Sequence, residues 1–491
     1  MVVSFKDVPA SARVPSVFVE IDPSLAGVGT SIQEYRALLV GQKLAAGTVV
    51  ADLLYRATGA DQVGQAFGRG SILHNMAQAW FKGNRVTEAW FIGLDDAGGS
   101  VAATFTITVT GTATENGSVF LYIAGRRIVV PVVSGDVQNT IAASINTAIA
   151  ASEFASELPV TAGVVANVVT LTARNGGTQG NAIDVRTNHN IGEETPAGFT
   201  VAIAAGVAGA TDPTVTAAIA AMGDLQFHTI AVGLNSSAVV GAWNTELADR
   251  FGPIEQKDGH AFFAKDDTHS NLLTFASALN GRHTTVFGLK NALSSPWEIA
   301  SAAMAQVAKS AQADPARPFQ TLELVGILGS DPGDRFTFQE RDLLLKGGVA
   351  TVVTDEFGVV RLERVITTNR TNESGAASVA FLDYNTLATL SFLRFDYRNQ
   401  FLSTYPRTKL ASDPARFGAG QAVVTPNQIR AFSLGVFRSW EERALVEGFD
   451  QFAADLIVER STTDANRVDI LLPPDLVNQL LIGAVSLRYL L

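Results

Sequence analysis

Segments with buried-strand and amphipathic-helix patterns alternate in two separate parts of the chain. The apolar run 35–40 predicts a buried strand, and Ser71 is predicted to cap a helix. After an interruption the alternation resumes at Asp212, which with the following proline predicts a helix start. The remaining predicted elements are strands 86–92, 228–234, 260–264 and 284–287 and helices 237–251, 268–280 and 296–311. Strands separated by helices imply parallel pairing, so residues 25–95 and 211–320 are predicted to form one discontinuous, doubly wound α/β middle domain.

The interruption, residues 96–210, predicts a small β-rich domain inserted into the α/β pattern. It is rich in Val, Thr, Ala and Gly and carries few charges. Apolar residues alternate with Thr around Ile107, which predicts a half-buried strand. Hairpin turns are predicted at 115–118 and at Ala124-Gly125. Further predicted elements are strands 119–123, 126–132, 168–172 and 183–186 and a helix through Ile141, Ile145 and Ile149.

Residues 321–478 predict an α+β C-terminal domain. Thr337 and Glu340 have the spacing of a capping box, which predicts a helix that stops at Gly347-Gly348. Residues 355–358 are a predicted hairpin turn. The other predicted elements are helix 386–405, a helix beginning at Thr425-Pro426, and strands 455–459 and 467–472.

Both chain ends carry apolar, strand-like segments without a neighbouring strand in the sequence. Prolines at 9, 15 and 23 exclude a regular central strand along residues 1–24, and residues 479–491 include a predicted last strand, 480–490. An extended stretch of about 15 residues reaches ~50 Å, which exceeds the ~23 Å radius of gyration of a compact chain this long. We therefore predict two arms that link subunits through Val14, Val17, Val19, Ile21, Leu481, Ile482, Val485 and Leu487.

Composition narrows the classes of function. The 491 residues are 47% hydrophobic and 17% charged, which indicates large cores and a surface partly covered by partners. The net charge of −11 argues against nucleic-acid binding, which needs a basic surface. Cysteine is absent, so disulfide scaffolds and thiolate sites are excluded. Neither a signal peptide nor a membrane-spanning stretch is predicted.

Each candidate catalytic or binding site favours a structural interpretation. Gly64, Gly68 and Gly70 precede a helix, but their spacing matches neither a phosphate loop nor a dinucleotide fingerprint. A group of His and Asp residues at 260–269 lacks a helical His pair, so a solvated loop is favoured over a metal site. The strained Gly-x-Ser-x-Gly turn of a serine hydrolase does not occur. We predict no catalytic, cofactor-binding or metal-binding residue.

Short motifs in all three predicted domains resemble a known family, the contractile tail sheath proteins of bacteriophages, Mu type. The resemblance covers nearly the whole chain, and it depends on the order of the motifs rather than on any one of them. The motifs are 13–15 (RVP), 70–73 (GSIL), 121–125 (LYIAG), 158–162 (LPVTA), 169–174 (VTLTAR), 338–342 (FQERD), 363–368 (ERVITT) and 466–469 (NRVD).

The resemblance implies a structural protein of the virion tail, assembled in the host cytoplasm. Hexameric rings would stack as a helical sleeve around the tail tube protein, bounded by baseplate and tail terminator proteins, and the sleeve would contract to drive the tube through the host envelope. The middle domain of such sheaths resembles a subtilisin-like fold without a catalytic site, and arms from neighbouring subunits add strands to the tube-facing C-terminal domain. Two alternatives remain open: a surface adhesin that binds through the inserted domain, and an α/β hydrolase.

Overall fold

The computed structural model describes residues 33–418 and 420–490, and these residues form a mixed α/β fold. They divide into two compact units, one made of residues 34–392 with 476–490 and the other of 393–475. The N-terminal arm residues Val14, Val17, Val19 and Ile21 lie outside the described residues. The domain limits expected from the sequence remain predictions.

The elements follow one another along the chain within these two units. The helices are α1 (Ala60–Phe67), α2 (Ile72–Gly83), α3 (Gln138–Ala151), α4 (Thr216–Ala221), α5 (Ser237–Phe251), α6 (His269–Ser277), α7 (Pro296–Ala313), α8 (Phe338–Lys346), α9 (Tyr384–Thr404), α10 (Pro426–Glu442) and α11 (Phe449–Asp455). The strands are β1 (Arg36–Gln42), β2 (Tyr55–Ala57), β3 (Glu88–Leu94), β4 (Thr104–Gly111), β5 (Gly117–Ile123), β6 (Arg126–Val132), β7 (Val160–Val165), β8 (Val168–Ala173), β9 (Val185–Thr187), β10 (Phe199–Ala205), β11 (Thr229–Val232), β12 (His260–Asp266), β13 (Thr284–Leu289), β14 (Glu323–Leu328), β15 (Thr351–Thr354), β16 (Val359–Arg364), β17 (Lys409–Leu410), β18 (Val423–Val424), β19 (Val446–Glu447), β20 (Ile457–Arg460), β21 (Val468–Leu471) and β22 (Asp475–Leu476).

A six-stranded sheet in the order β13-β12-β11-β1-β3-β2 separates two hydrophobic cores. Its strands are parallel except β2, which pairs antiparallel with β3. Because successive side chains of a strand point to opposite faces, Ala37 and Leu39 join the core with α2 and α7. Leu38 and Val40 join the core with α4 and α5. Apolar residues on both faces explain the uninterrupted hydrophobic run of β1.

The inserted segment, residues 96–210, forms two antiparallel sheets packed with α3. Their strand orders are β10-β4-β8-β7 and β6-β5-β9. The predicted hairpin at Ala124-Gly125 is confirmed, since both residues have positive φ (48° and 77°) and join β5 to β6. The predicted hairpin at 115–118 is wrong, because β4 and β5 belong to different sheets. A local turn signal cannot distinguish a hairpin from a passage between sheets.

Asp212 does not cap a helix, which corrects a second sequence prediction. Helix α4 begins four residues later, at Thr216. The carboxylate of Asp212 instead accepts hydrogen bonds from the backbone N and the Oγ1 of Thr178, both at 2.6 Å. Asp212 therefore fastens the end of the inserted segment to a loop within it.

The first unit also contains a three-stranded sheet in the order β14-β16-β15. The capping box at the start of α8 is confirmed, with Thr337 Oγ1 accepting from the backbone N of Glu340 at 3.3 Å and Glu340 Oε2 accepting from the backbone N of Thr337 at 2.8 Å. The predicted hairpin between β15 and β16 is also confirmed. Asp355 Oδ1 accepts from the backbone N atoms of Phe357 and Val359, which fixes this turn.

The second unit packs α10 against α11 and against the hairpin β20–β21. Phe437 stacks on Phe452 with ring centroids 4.0 Å apart. The buried carboxylate of Asp396 accepts from Trp440 Nε1 at 2.7 Å. The strand predicted from residue 455 begins two residues later, because α11 extends to Asp455.

Candidate assembly surfaces

Residues 477–490 present a row of exposed apolar side chains. Ile482, Val485 and Leu487 are 82%, 92% and 88% exposed, whereas Leu481 is partly buried. The strand predicted at 480–490 is not formed in the described chain, because a strand needs a second edge to pair with and none lies beside it. Contiguous apolar surface of this kind marks an interaction site in a soluble protein.

The order of residues in this segment suits strand addition. In an extended conformation every second residue faces the same way, so Leu481, Val485, Leu487 and Tyr489 share one face. The side chain of Gln320 donates to the carbonyl of Leu480 at 3.2 Å, near the start of the segment. An added strand of this kind binds through its main chain and is selected by alternate side chains.

The hairpin β20–β21 has the character of an acceptor for such a strand. Among the described residues, these two strands pair only with each other, from Ile457 with Leu471 to Arg460 with Val468. One hairpin is marginally stable, and further strands or helix packing are needed to stabilise it. Helix α10 packs against β20, while Ile457 and Leu471 remain exposed. Within the described residues, the outer edges of the hairpin are therefore available to another strand.

Backbone amides at the glycine-rich entry to α2 bind other groups of the protein, which favours a structural turn over an anion site. Gly70 N donates to His74 Nδ1 and Ile72 N donates to Asn175 Oδ1, both at 3.1 Å. The hydroxyl of Ser71, the predicted cap, accepts from His74 N at 3.1 Å. Burial lowers the pKa of His74 to about 4, which keeps its ring neutral and able to accept. The glycines therefore shape a turn, as the sequence favoured.

The His and Asp residues at 260–269 do not converge on a metal site. Asp266 accepts from the backbone N atoms of Asn291 and Ala292, and His269 Nε2 lies 3.2 Å from the carbonyl oxygen of Glu340. His260 is buried in β12 instead. Within residues 33–418 and 420–490, no group of three or more such side chains could bind a metal.

The crevice where open α/β sheets bind ligands is filled by the protein's own backbone. Ligands bind at the carboxyl ends of the strands where the strand order reverses, which here is between β1 and β11. Gln42 Nε2 at the end of β1 donates to the carbonyl oxygen of Gly176 at 2.6 Å. Asn175 Nδ2 donates to the carbonyl oxygen of Lys43 at 2.8 Å. A loop of the inserted segment therefore occupies the place where an α/β enzyme would hold its substrate.

A cleft of about 520 Å³ remains beside this loop, but both of its lysines pair with carboxylates of the protein. Lys290 Nζ lies 3.4 Å from Asp334 Oδ1, and Lys265 Nζ lies 4.0 Å from Asp267 Oδ2. Burial raises the pKa of Asp266, which lines the cleft together with Asp184 and Asp267. The arrangement is that of a self-neutralised surface.

Sequence reasoning missed a group of histidines at the amino ends of the strands, opposite the crevice. His228, His260 and His283 precede or begin three adjacent strands and line a cavity of about 20 Å³ with Tyr35 and Tyr384. Burial lowers the pKa of His228 and of His283 to about 4, with Arg36 and Arg282 adding to the effect. Burial also lowers the pKa of His260 well below its usual value. The sequence does place a His at or just before the start of each strand. These residues predict a common group only once the strands are known to be neighbours in the sheet.

A buried ion pair joins the inserted segment to α7. Arg126 donates to both carboxylate oxygens of Glu298, at 2.6 and 2.9 Å, and the two side chains are 11% and 6% exposed. Arg126 also donates to the carbonyl oxygen of Ala124 at 2.7 Å. The described residues thus combine exposed strand partners with polar groups that are used internally, which is the pattern of a structural protein built for assembly.

Comparisons with known proteins agree with that class. Residues 208–368 match the family model for the phage tail sheath protein central domain, and residues 377–486 match that for the phage tail sheath C-terminal domain. The Mu-like prophage FluMu tail sheath protein of Haemophilus influenzae is 36% identical over 491 residues, covering all of both chains. This chain therefore belongs to the Mu-type phage tail sheath family, and it is a structural protein, not an enzyme.

Solved sheath structures are similar to the chain over most of its length at low sequence identity. The sheath tail protein of Desulfitobacterium hafniense is 14% identical, with 95% of this chain and 97% of that one covered and a TM-score of 0.49. The anti-feeding prophage helical sheath in its contracted state is 12% identical, with 98% and 99% covered and a TM-score of 0.48. No helix in the described part of the chain has the length and apolar character needed to cross a membrane.

Proposed function

We propose that this chain polymerises as stacked hexameric rings around a tail tube, and that the resulting sleeve contracts to drive the tube through a host envelope. The observation that carries the proposal is the 36% identity to a tail sheath protein over the entire length of both chains. Baseplate and tail terminator proteins would bound the sleeve, and assembly would take place in the host cytoplasm. The middle part of the chain would have the subtilisin-like architecture expected from the sequence.

Strand exchange between copies is the proposed link within the sleeve. The segment 477–490 of one copy adds to the open edge of the β20–β21 hairpin in a neighbour. Leu481, Val485 and Leu487 then become buried, while main-chain hydrogen bonds extend the hairpin into a stable sheet. The N-terminal arm, through Val14, Val17, Val19 and Ile21, is proposed to contribute a second added strand. Such tethers would persist while the rest of each subunit rotates during contraction.

The test compares the purified full chain with a variant that carries Val485→Asp and Leu487→Asp. Burying two unpaired charges costs several kcal/mol, so the variant should fold normally and fail to form sleeves in negative-stain images. Ser486→Asp is the matched control, because its side chain lies on the opposite face of the extended segment and it should still polymerise. Normal sleeves from the double variant would rule out the C-terminal link. The sheath role itself would be contradicted if light scattering showed that the unmodified full chain stays monomeric at high concentration.

A further inference from the structure

The four-stranded sheet of the inserted segment ends on two edge strands that lack protection. Residues 197–211, which include β10, and residues 160–173, which include β7 and β8, contain neither a charged residue nor a proline. The pairing of β10 with β4 and of β7 with β8 is regular throughout, without a bulge. Natural edge strands are usually blunted by lysine, proline or bulges, because a bare edge pairs with other chains.

Two other sheet edges of the same protein carry such protection. Strand β6, an edge of the neighbouring sheet, contains Arg126, Arg127 and Pro131. Strand β14 contains Glu323 and pairs with β16 through a register shift. Strands β10 and β7 carry neither form of protection.

The hydrogen-bonding pattern shows which backbone groups face outwards. The backbone N–H and C=O groups of even-numbered residues face the inner side of β10 and hydrogen-bond to β4. Gly206 N, for example, donates to the carbonyl oxygen of Thr104. Alternation then leaves the N–H and C=O groups of Val201 and Ile203 pointing out of the sheet. On β7 the groups bonded to β8 are odd-numbered, as Arg174 N bonds to the carbonyl oxygen of Pro159, so Ala162 points its groups outwards. Among the residues that the structure describes, these outward groups have no partner.

The two edges complement each other in direction and in face. Because the sheet has four antiparallel strands, β10 and β7 run in opposite directions. If a second copy lies beside the first in the same orientation, its β7 and the first copy's β10 are therefore antiparallel. The residues with outward backbone groups on both edges, such as Ile203 and Ala162, pack their side chains towards the core. Residues with solvent-facing side chains, such as Ala204 and Gly163, then oppose each other as well. A continuous sheet with one core face and one solvent face results.

We infer that β10 of one copy pairs edge to edge with β7 of the next copy, so that inserted segments of neighbouring subunits form one continuous sheet. The contact is heterologous, because two different edges meet, and such contacts generate rings or helical polymers. This inference rests on the proposed polymer and adds to it a link separate from the two terminal arms. Its partner is a second copy of this chain, since the β7 edge of that copy matches the β10 edge in strand direction and in the face of its side chains.

Engineered disulfides test the pairing directly, because the natural chain has no cysteine. Three double variants combine Ala204→Cys on β10 with Thr161→Cys, Gly163→Cys or Val165→Cys on β7, which covers the neighbouring registers. A Cβ at Gly163 meets no atom within 4 Å. At the junction these positions form non-hydrogen-bonded pairs with Cα atoms about 4.5 Å apart, within disulfide range. Inside one copy the strands are ~14 Å apart, so a bond cannot close there.

Oxidised polymer of at least one double variant should run as a ladder on a denaturing gel, while Ala204→Cys alone should remain monomeric. Dimers from the single variant would show two-fold pairing of β10 with itself and overturn the inference. Sleeves seen by electron microscopy without a ladder in any double variant would also overturn it, and would leave the proposed function standing. A chain that forms no polymer contradicts the proposed function, and the edge pairing with it.

Discussion

Replacing Arg126 by Met is expected to destabilise the unit of residues 34–392 and 476–490 by about 3–5 kcal/mol, the cost of removing one partner from a buried ion pair. Burial acts to lower the pKa of Arg126, but the carboxylate of Glu298 outweighs it and the pKa is raised. Without the guanidinium, Glu298 keeps a hydrogen bond from Ser295 N at 3.3 Å but loses both contacts to its charged partner. A charge that stays buried without compensation is the source of the loss.

The double variant Arg126→Met, Glu298→Gln should recover much of this stability. A neutral amide leaves no buried charge, and replacing both partners of a buried pair is often close to neutral. Arg127→Met is the matched control, since the neighbouring Arg127 is 44% exposed in its pair with Glu193 and should cost much less.

The free energy of unfolding is measured from urea titrations followed by tryptophan fluorescence, with the slope checked for two-state behaviour. A second measurement, limited proteolysis, locates the loss at the junction of the inserted segment. A loss below about 1 kcal/mol for Arg126→Met, with no recovery in the double variant, would refute the view that this pair fixes the inserted segment to α7.

Three further predictions follow from buried polar groups. His228 and His283 each have a pKa of about 4 in the folded chain, below the ~6.5 of an unfolded chain, so the unfolded state binds more protons between these pH values. The free energy of unfolding should therefore fall by up to ~1.4 kcal/mol per pH unit per histidine as the pH drops from about 6.5 to 4. Equal urea midpoints at pH 7 and pH 5 would contradict this. Asn175→Ala should cost about 1–3 kcal/mol, because Ile72 N at the start of α2 and the carbonyl oxygen of Lys43 after β1 both lose this partner. Asn175→Asp should recover only the bond from Ile72 N, because a carboxylate accepts hydrogen bonds but cannot donate one to the Lys43 carbonyl. Trp440→Phe removes a donor from buried Asp396 and should lower the unfolding midpoint of the unit 393–475 on its own, with an unchanged midpoint for the other unit as the internal control.

The positions of most helices could be predicted from the sequence because their signals are local. Helix α5 begins and ends where the pattern predicted, and the capping box of α8 forms within its first turn. A cap acts on backbone groups two or three residues away, so the chain around it contains the whole interaction. The turn at Ala124-Gly125 was predictable for the same reason, since both residues adopt positive φ within the turn itself.

Partner choice was decided only by the tertiary structure. Asp212 has a capping residue's identity and position, yet its carboxylate binds Thr178, which is 34 residues away in the sequence. The segment 115–118 has a hairpin turn's composition, yet it connects two different sheets. The three histidines at the strand starts are scattered over 56 positions of the chain, from His228 to His283, and become one buried group only when β11, β12 and β13 align.

The candidate assembly surfaces divide in the same way. The sequence by itself determined that residues 480–490 are apolar at strand spacing, and it indicated a partner outside the chain's own fold. Whether such a segment pairs, and which strand edges stay open, was decided by the tertiary structure, which leaves Val485 and Leu487 exposed and the outer sides of β10 and β7 unpaired. The physical reason is that helix and turn energies are summed over near neighbours, whereas a strand is stable only with an edge that the rest of the fold, or another copy, provides.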